Sequence, residues 1–482
     1  MENLKKIIFM LICFAPFLSG GQISFYNKFT SGPFDQGNGI TQLPDSSYAI
    51  TGTSGGFDGN SGQAYLMLID SLGDHLWTKD YGGYGDDIGV RVIHVPNDGF
   101  FIAGYTGSTV DGNLDFMVLK TDESGELLWQ KNYGGENWEI LHDAQILSDG
   151  GLILVGHSEG NTTQEKDLYM VRTNAVGDTL WTKTIQTSTD DIAYAVDTLS
   201  NSQFVIGGVM GDAGVQRGML AAYNNVDGSE VWLSFNPSGD VEILDLEVFE
   251  TDIYASGFIK NTVENQDDYW LGKFDLLGVF DKYIDFSYDG DARITAITIR
   301  EFEGLYMAIQ SQAIDLNPFP GGEDMFTMKL NTDLFFIGSG EGFSAYNDDR
   351  INQMIVASDG GIVIVGTVGD KELEISSGTD VMVARIAPDD SFVPGANTGL
   401  DFVSVKKEML KSLVIFPNPT NDFINLPNRV HGLEYQITAL NGRLMSKGLV
   451  EAKIDLNNLR PGMYFLTIQS DQQIYSAKII KQ

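Results

Sequence analysis

The chain has 482 residues, too many for one ordinary hydrophobic core, so at least two folded units are expected. Its 30 Lys and Arg residues face 66 Asp and Glu residues, a formal charge of −36. Because phosphate binding requires a basic surface, nucleic acid is excluded as an expected partner. The 55 glycines and the 20% of charged residues are typical of short strands and turns rather than helices.

Residues 1–21 are typical of a secretory signal peptide. A basic pair precedes an apolar run, and small residues close the segment, so cleavage would leave Gln22 first. The apolar run is too short to span a membrane, and the rest of the sequence contains no longer one, so we expect no transmembrane segment in the mature chain. The only cysteine, Cys13, lies in the signal, so folding must rest on packing rather than on disulfides.

Residues 22–393 are built from a repeat. Tryptophans recur at almost constant spacing, at Trp77, Trp129, Trp181 and Trp232. A second marker, a short apolar run that usually ends in glycine, raises the count to seven units of about four strands each. This pattern predicts an all-β fold, a seven-bladed β-propeller that we expect to be monomeric. The last unit lacks an outer strand, and Ile23–Phe29 fits that position, so the N-terminal strand is predicted to complete the last blade.

The tryptophans sit in a recognisable local pattern. The spacing Asp-x-x-Gly-x-x-x-Trp around Trp77 and Trp129 resembles the tryptophan-docking motif of quinoprotein-like propellers. It is followed loosely at Trp181 and is lost after Trp232. The resemblance implies that these rings pack between blades, and it does not imply a quinone cofactor.

One face of such a propeller carries the loops between second and third strands together with the loops that enter each inner strand. Both sets are long in this sequence, so this long-loop face is the predicted binding face. Aromatic residues that break the repeat in these loops are the candidate ligand contacts, with packing within the loop as the alternative. They are Trp138, Tyr84, Tyr288 and Tyr346.

Acidic residues precede every inner strand. The candidate metal ligands among them are Asp86, Asp87, Asp190, Asp191, Asp289, Asp291, Asp348 and Asp349. Carboxylates beside glycine-rich turns suit Ca²⁺, the one cofactor that the pattern suggests. The alternative is that each acid accepts hydrogen bonds from the amides of its own loop, which the repetition and the lack of a twelve-residue calcium loop favour.

Enzyme signatures are weak. The sequence has no nucleophile elbow, no Walker loop and no cysteine outside the signal, and its five histidines lack metal-ligand spacing. The sequence therefore favours non-enzymatic binding of a glycan, a protein or a cation. A polysaccharide hydrolase or lyase with acids at the channel mouth is the alternative, and a structural surface-layer component is a third hypothesis.

Residues 394–411 break the rhythm and are predicted to be a linker, and residues 412–482 alternate as the strands of a small Ig-like β-sandwich. The motifs of this unit are carried by Pro417, Asn418, Pro419, Asn441, Gly442, Pro461, Gly462, Tyr464, Lys478 and Lys481. In this order they resemble the type A C-terminal sorting domain of the type IX secretion system. The resemblance implies a Gram-negative bacterium, contact with the type IX machinery, and a secreted or cell-surface protein.

Overall fold

The structure is a computed structural model that describes residues 24–31, 34–55, 62–110, 112–160, 165–212, 215–261, 266–286, 290–311, 324–343, 349–369, 379–392, 411–412, 420, 422–426, 430–439, 444–460, 462–469 and 474–481. The predicted signal peptide and almost all of the predicted linker lie outside these ranges. Within them, no helix has the length and apolar character of a membrane span.

Seven antiparallel four-stranded sheets form the propeller. Blade one contains β2 (Gln36–Gln42), β3 (Tyr48–Ser54), β4 (Gln63–Ile69) and β5 (His75–Tyr81). Blade two contains β6 (Asp87–Val95), β7 (Gly99–Thr106), β8 (Asp115–Thr121) and β9 (Leu127–Tyr133). Blade three contains β10 (Trp138–Ile146), β11 (Leu152–Glu159), β12 (Lys166–Thr173) and β13 (Thr179–Ile185). Blade four contains β14 (Ile192–Ser200), β15 (Gln203–Asp212), β16 (Val215–Asn224) and β17 (Glu230–Phe235).

Blade five contains β18 (Val241–Phe249), β19 (Asp252–Asn261), β20 (Gln266–Asp275) and β21 (Phe280–Phe286). Blade six contains β22 (Ala292–Arg300), β23 (Gly304–Ser311), β24 (Asp324–Leu330) and β25 (Phe336–Phe343). Blade seven contains β26 (Arg350–Val356), β27 (Ile362–Gly369) and β28 (Thr379–Ile386) from the end of the propeller sequence. The seven blades and the all-β class predicted from the sequence are confirmed.

The fourth strand of blade seven is β1 (Phe25–Phe29), which comes from the start of the chain. It pairs antiparallel with β28, with Phe25 opposite Arg385 and Phe29 opposite Val381. An ion pair of 2.6 Å between Lys28 Nζ and Asp380 Oδ2 reinforces the pairing. The predicted closure of the ring by the N-terminal strand is therefore confirmed.

The second and third strands of the blades are almost entirely buried because both of their faces pack against neighbouring blades. The inner strands share another feature, a register shift after the second, third or fourth paired residue, which recurs near the start of the strand in all seven blades. The extra residue of each bulge lies where the inner strands surround the central channel, on the long-loop side. These seven bulges define the channel mouth.

Tryptophans join neighbouring blades on the outside of the ring. The Trp129 ring lies against Gly177, in the turn before the outer strand of the next blade, and the Tyr133 hydroxyl donates to the Gly177 carbonyl at 2.7 Å. Gly177 has φ +80, and a Cβ there would meet the Trp129 ring, so both the backbone and the packing require glycine. The same contact recurs between Trp77 and Gly125.

The C-terminal unit has two sheets around one apolar core. One sheet has the order β29-β35-β34-β31-β32, and β30 pairs with β33 in the other. The strands are β29 (Lys411–Ser412), β30 (Phe423–Asn425), β31 (Glu434–Ala439), β32 (Leu444–Leu449), β33 (Lys453–Asp455), β34 (Gly462–Gln469) and β35 (Ile474–Lys481). Ile424 and Ile454 from the small sheet pack in the same cluster as Ile437 and Leu466 from the large one, as in a small sandwich.

Candidate binding face

The acids at the starts of the inner strands accept hydrogen bonds from nearby loops. Asp87 is fully buried and accepts hydrogen bonds from the Gly83 amide at 2.8 Å and the Ser108 hydroxyl at 2.9 Å. Asp191, equally buried, accepts from the Gly211 amide at 2.9 Å. Asp349 is also fully buried and accepts from the Gly369 amide at 3.0 Å. These carboxylates hold the long loops in place.

The second group of candidate metal ligands lies in the entry loops, one position before that of the buried acids. These side chains are more exposed than the buried acids. Asp86 accepts from the Gly62 amide at 2.9 Å, Asp190 from the Lys166 amide at 3.1 Å, and Asp291 from the Asp267 amide at 2.9 Å. Each bond ties an entry loop to the end of a neighbouring long loop.

No group of three or more His, Cys, Asp or Glu side chains that could hold a metal ion occurs among the described residues. Asp289 and Asp348 lie outside them. The hydrogen bonds of the other acids support the role as loop acceptors that the sequence left as the alternative. Calcium binding stays a prediction.

Apolar side chains project from the long-loop face of blades one to three. Trp138 is 44% exposed and Tyr84 is fully exposed. Val110, at the tip of the long loop in blade two, is also fully exposed, and Phe34 at the entry of blade one is 51% exposed. We call the three aromatic residues Phe34, Tyr84 and Trp138 the aromatic arc. The predicted contacts Tyr288 and Tyr346 lie outside the described residues.

Phe34 was missed by the sequence reasoning. It precedes Asp35, which is buried and accepts from the Gly55 amide at 3.1 Å, just as Asp86 precedes the buried Asp87. Aligning Asp35 with Asp87 would have placed Phe34 at the position of Asp86 and Trp138. In blades four to six the same position holds Asp190, Asp240 and Asp291, so an aromatic residue occurs at this position in blades one and three and an acid in the other blades.

Two histidines also meet at the channel mouth, although the sequence gave them non-equivalent positions. His142 occupies the bulge of β10, and its Nε2 lies 2.9 Å from Nδ1 of His157 on β11. The His142 ring also contacts the Tyr194 ring, with 4.9 Å between centroids. The bulge, which the sequence did not reveal, brings the two histidines together.

Comparison with known families identifies the C-terminal unit. Residues 414–482 match the model of the secretion system C-terminal sorting domain, so this unit is a type IX sorting domain. Of the motif residues, Gly462, Tyr464, Lys478 and Lys481 lie on the described strands β34 and β35, and the others lie outside the described residues. The protein is therefore secreted or displayed at the cell surface, as the sequence predicted.

Solved propellers resemble the rest of the chain at low identity. The WD40 β-propeller domain of Doa1 is 12% identical, with a TM-score of 0.46, 75% of this chain covered and 96% of that one. Sqt1 from Chaetomium thermophilum is 11% identical, with a TM-score of 0.41 and coverages of 75% and 98%. A putative 6-phosphogluconolactonase from Bacteroides fragilis is 13% identical, with a TM-score of 0.38 and coverages of 65% and 83%.

No curated protein matches the chain. The resemblance to quinoprotein-like propellers is not confirmed by the comparisons.

Proposed function

Starting from a secreted or cell-surface propeller with a type IX sorting domain, we propose that the protein is a non-enzymatic binding module for a neutral glycan. The observation that carries this proposal is the aromatic arc. Three aromatic side chains, Phe34, Tyr84 and Trp138, are exposed on the long-loop face of three consecutive blades. Large exposed apolar side chains grouped on one rigid face are typical of a recognition surface.

The chemistry of the arc favours sugars. Aromatic rings offer flat apolar surfaces on which the C–H faces of a sugar ring stack, and the exposed carboxylate of Asp86 beside Tyr84 can accept hydroxyl hydrogen bonds. The formal charge of −36 disfavours polyanionic ligands by repulsion, so the glycan is neutral. Protein ligands use the same residue types, and they form the second arm of the test.

The acids support binding rather than hydrolysis. A glycosidase needs two carboxyl groups that are free to reach the scissile bond. The buried Asp87, Asp191 and Asp349 instead accept hydrogen bonds from their own loops. The more exposed Asp190 also accepts an amide, yet it is the acid with which the hydrolase or lyase alternative is best tested.

The test is a thermal melt of the mature chain, after treatment with chelator, against neutral polysaccharides, with calcium in a parallel series. Binding at a hundred times Kd should stabilise the fold by about 2.7 kcal/mol and raise the melting temperature. Trp138→Ala and Phe34→Ala should each weaken binding at least about tenfold. Leu128→Ala, which removes an exposed apolar side chain from the outer edge of blade two, is the matched control and should bind normally.

Three outcomes would count against this function. A polysaccharide that binds the Trp138→Ala chain as well as the native chain would remove the arc from the site. Release of reducing ends that is lost in Asp190→Asn would favour the hydrolase. Melting temperatures that stay constant across all polysaccharides would reject a glycan ligand and move the proposal to a protein partner.

A further inference from the structure

The channel mouth holds a cluster that no other blade repeats. His142 and Tyr194 are the bulge residues of the inner strands of blades three and four, and His157 lies beside His142 on β11. The two histidine rings are stacked, with 5.1 Å between centroids and 25° between planes. We call His142, His157 and Tyr194 the mouth cluster.

Polar bulge residues in three other blades tie neighbouring blades together. Asn38 donates to the Gly89 carbonyl at 2.9 Å, so that blade one is tied to blade two. Thr295 donates to the Ile351 carbonyl at 2.7 Å and ties blade six to blade seven. Asn352 donates to the Gly37 carbonyl at 2.8 Å and ties blade seven to blade one. His142 and Tyr194 instead present half-buried rings toward each other, so this side of the mouth offers aromatic surface.

His157 carries an unpaired polar atom. Its side chain is 3% exposed, and Nε2 has no hydrogen-bond partner among the described residues. A buried polar group without a partner costs about 1–3 kcal/mol, and such groups mark places where a water or ligand atom belongs. Because Nδ1 already contacts His142, Nε2 is the ring atom that lacks a partner among the described residues.

Both histidines are neutral at physiological pH. Burial, with contributions from His157 and Lys166, lowers the pKa of His142 to about 3. Burial and Lys166 lower the pKa of His157 to about 4, against an opposing effect of Asp190. A neutral imidazole offers one donor and one acceptor, which matches a hydroxyl better than a charged group.

Lys166 and Asp190 flank the cluster. Lys166 lowers and Asp190 raises the pKa of His157, so both charges lie within electrostatic range of its ring, and the Lys166 amide donates to Asp190 Oδ1 at 3.1 Å. The Lys166 ammonium can donate to a sugar hydroxyl and the Asp190 carboxylate can accept from one. Together with the rings, they provide the stacking surface and the polar groups of a sugar site.

We propose that the mouth cluster is a subsite for one uncharged sugar unit, whose ring stacks on Tyr194 and His142 and whose hydroxyl binds His157 Nε2. This inference rests on the proposed function, since it takes the same ligand class on the same face. It assigns a second position on the long-loop face, over blades three and four, in addition to the aromatic arc.

The test uses the mature chain labelled with ¹⁵N in its histidines and titrated with glucose, galactose, mannose and N-acetylglucosamine. At least one sugar should shift the ring resonances of His157 and His142, while His431 in the sorting domain stays unchanged as an internal control. If none of the four sugars moves the His157 resonance, the subsite is overturned. This readout is independent of polysaccharide binding by the arc, so the two proposals fail separately.

Variants then locate the sugar. Tyr194→Ala should weaken the sugar that shifts His157 at least about tenfold, because the stacking surface is removed. Asn352→Ala, on the opposite side of the mouth, should leave the affinity unchanged. Tyr194→Phe keeps the ring and should retain most of the affinity even if Tyr194→Ala folds poorly. Native affinity in a folded Tyr194→Ala chain, or loss of affinity only in Asn352→Ala, would contradict the subsite.

Discussion

Arg300 and Asp390 form an ion pair across the junction between blades six and seven, with 2.6 Å between Nη2 and Oδ1. The Tyr306 hydroxyl donates to the same oxygen at 2.6 Å, and Lys329 Nζ lies 2.8 Å from the other one. Asp390 has φ +62 and occupies the turn position that Gly177 holds beside Trp129. At this junction a polar network replaces the contact between tryptophan and glycine.

Asp390→Ala should lower the free energy of unfolding by about 2–3 kcal/mol, less than the loss of a fully buried pair because Asp390 is partly exposed. The change removes one of the two carboxylates that pair with the Arg300 side chain, which is 5% exposed, and leaves Glu303 as the other. Urea denaturation measures the loss. The control is Asp212→Ala, which breaks the exposed pair with Arg217 and should cost at most about 1 kcal/mol. Equal losses in the two variants would contradict the role of the network.

Trp129 and Trp138 are nine residues apart and serve different purposes. Trp129→Ala should destabilise the propeller by about 2–4 kcal/mol, because the ring packs on Gly177 and lies 6.0 Å from the Phe101 ring. Trp138→Ala removes an exposed ring and should change stability by less than about 0.5 kcal/mol. Thermal melts without ligand measure the stabilities of the two variants. A larger loss in Trp138→Ala would show that this ring belongs to the core and not to the binding face.

Carboxyl groups inside the channel link successive inner strands. Asp143 accepts from the Val196 amide at 2.9 Å and Asp245 from the Ile297 amide at 2.8 Å, each in the next blade. Burial raises the pKa of Asp245 to about 7 despite Arg91, and burial together with Asp197 and Asp245 raises the pKa of Glu247 to about 8. The charged groups that face one another here are Arg91, Asp143, Asp197, Asp245 and Glu247.

Up to about pH 6.5, His142 and His157 act in the opposite direction, because the unfolded chain still binds protons that these two histidines have lost in the fold. Stability should fall as pH rises from about 6.5 to 8. In that range the folded chain holds protons on Asp245 and Glu247 that the unfolded chain has already released, so raising the pH favours unfolding. The loss should be roughly 2–3 kcal/mol, measured as the decrease of the urea midpoint between pH 6.5 and 9. Glu247→Gln should flatten the profile, and Glu301→Gln, on an exposed turn, should leave it unchanged. A midpoint that increases over this range would refute the assignment.

Deletion of residues 22–30 should open blade seven. The edge of β28, which pairs with β1 in the native chain, would then be unpaired and available to another chain. We expect oligomers in size-exclusion chromatography, and recovery of the native elution volume when a peptide of residues 22–31 is added. A truncated chain that elutes and melts like the native one would show that β1 is dispensable.

The repeat made the architecture predictable from the sequence. Contacts between turns that are distant in sequence were not predictable. The spacing of Trp77, Trp129 and Trp181 follows from one tryptophan in the outer strand of each of the first four blades, and the apolar runs that usually end in glycine extended the count to seven. Closeness in sequence does not identify ion pairs, as Asp167 and Arg172 on β12 show. Arg172 pairs with Asp149 at 2.6 Å rather than with Asp167, because residues five apart in a strand lie on opposite faces.

The candidate site was predictable only in part. Trp138 stood out because it interrupts a row of acids, and its exposure agrees with that reading. His142 and His157 could not be paired, because their contact depends on the bulge between Leu141 and Asp143, and bulges leave no reliable sequence signal. The acids were recognised as a repeated set, but their amide donors lie in loops whose paths the sequence does not specify.

The position of β1 has a mechanical consequence. Phe25, at the start of β1, lies opposite Arg385, near the end of β28, so the two ends of the propeller leave blade seven at the same end of one strand pair. A force that pulls these ends apart would load the backbone hydrogen bonds one after another, as in unzipping, rather than all at once, as in shear. Under tension applied between the two ends of the propeller, blade seven would yield first, while the other blades bear little load.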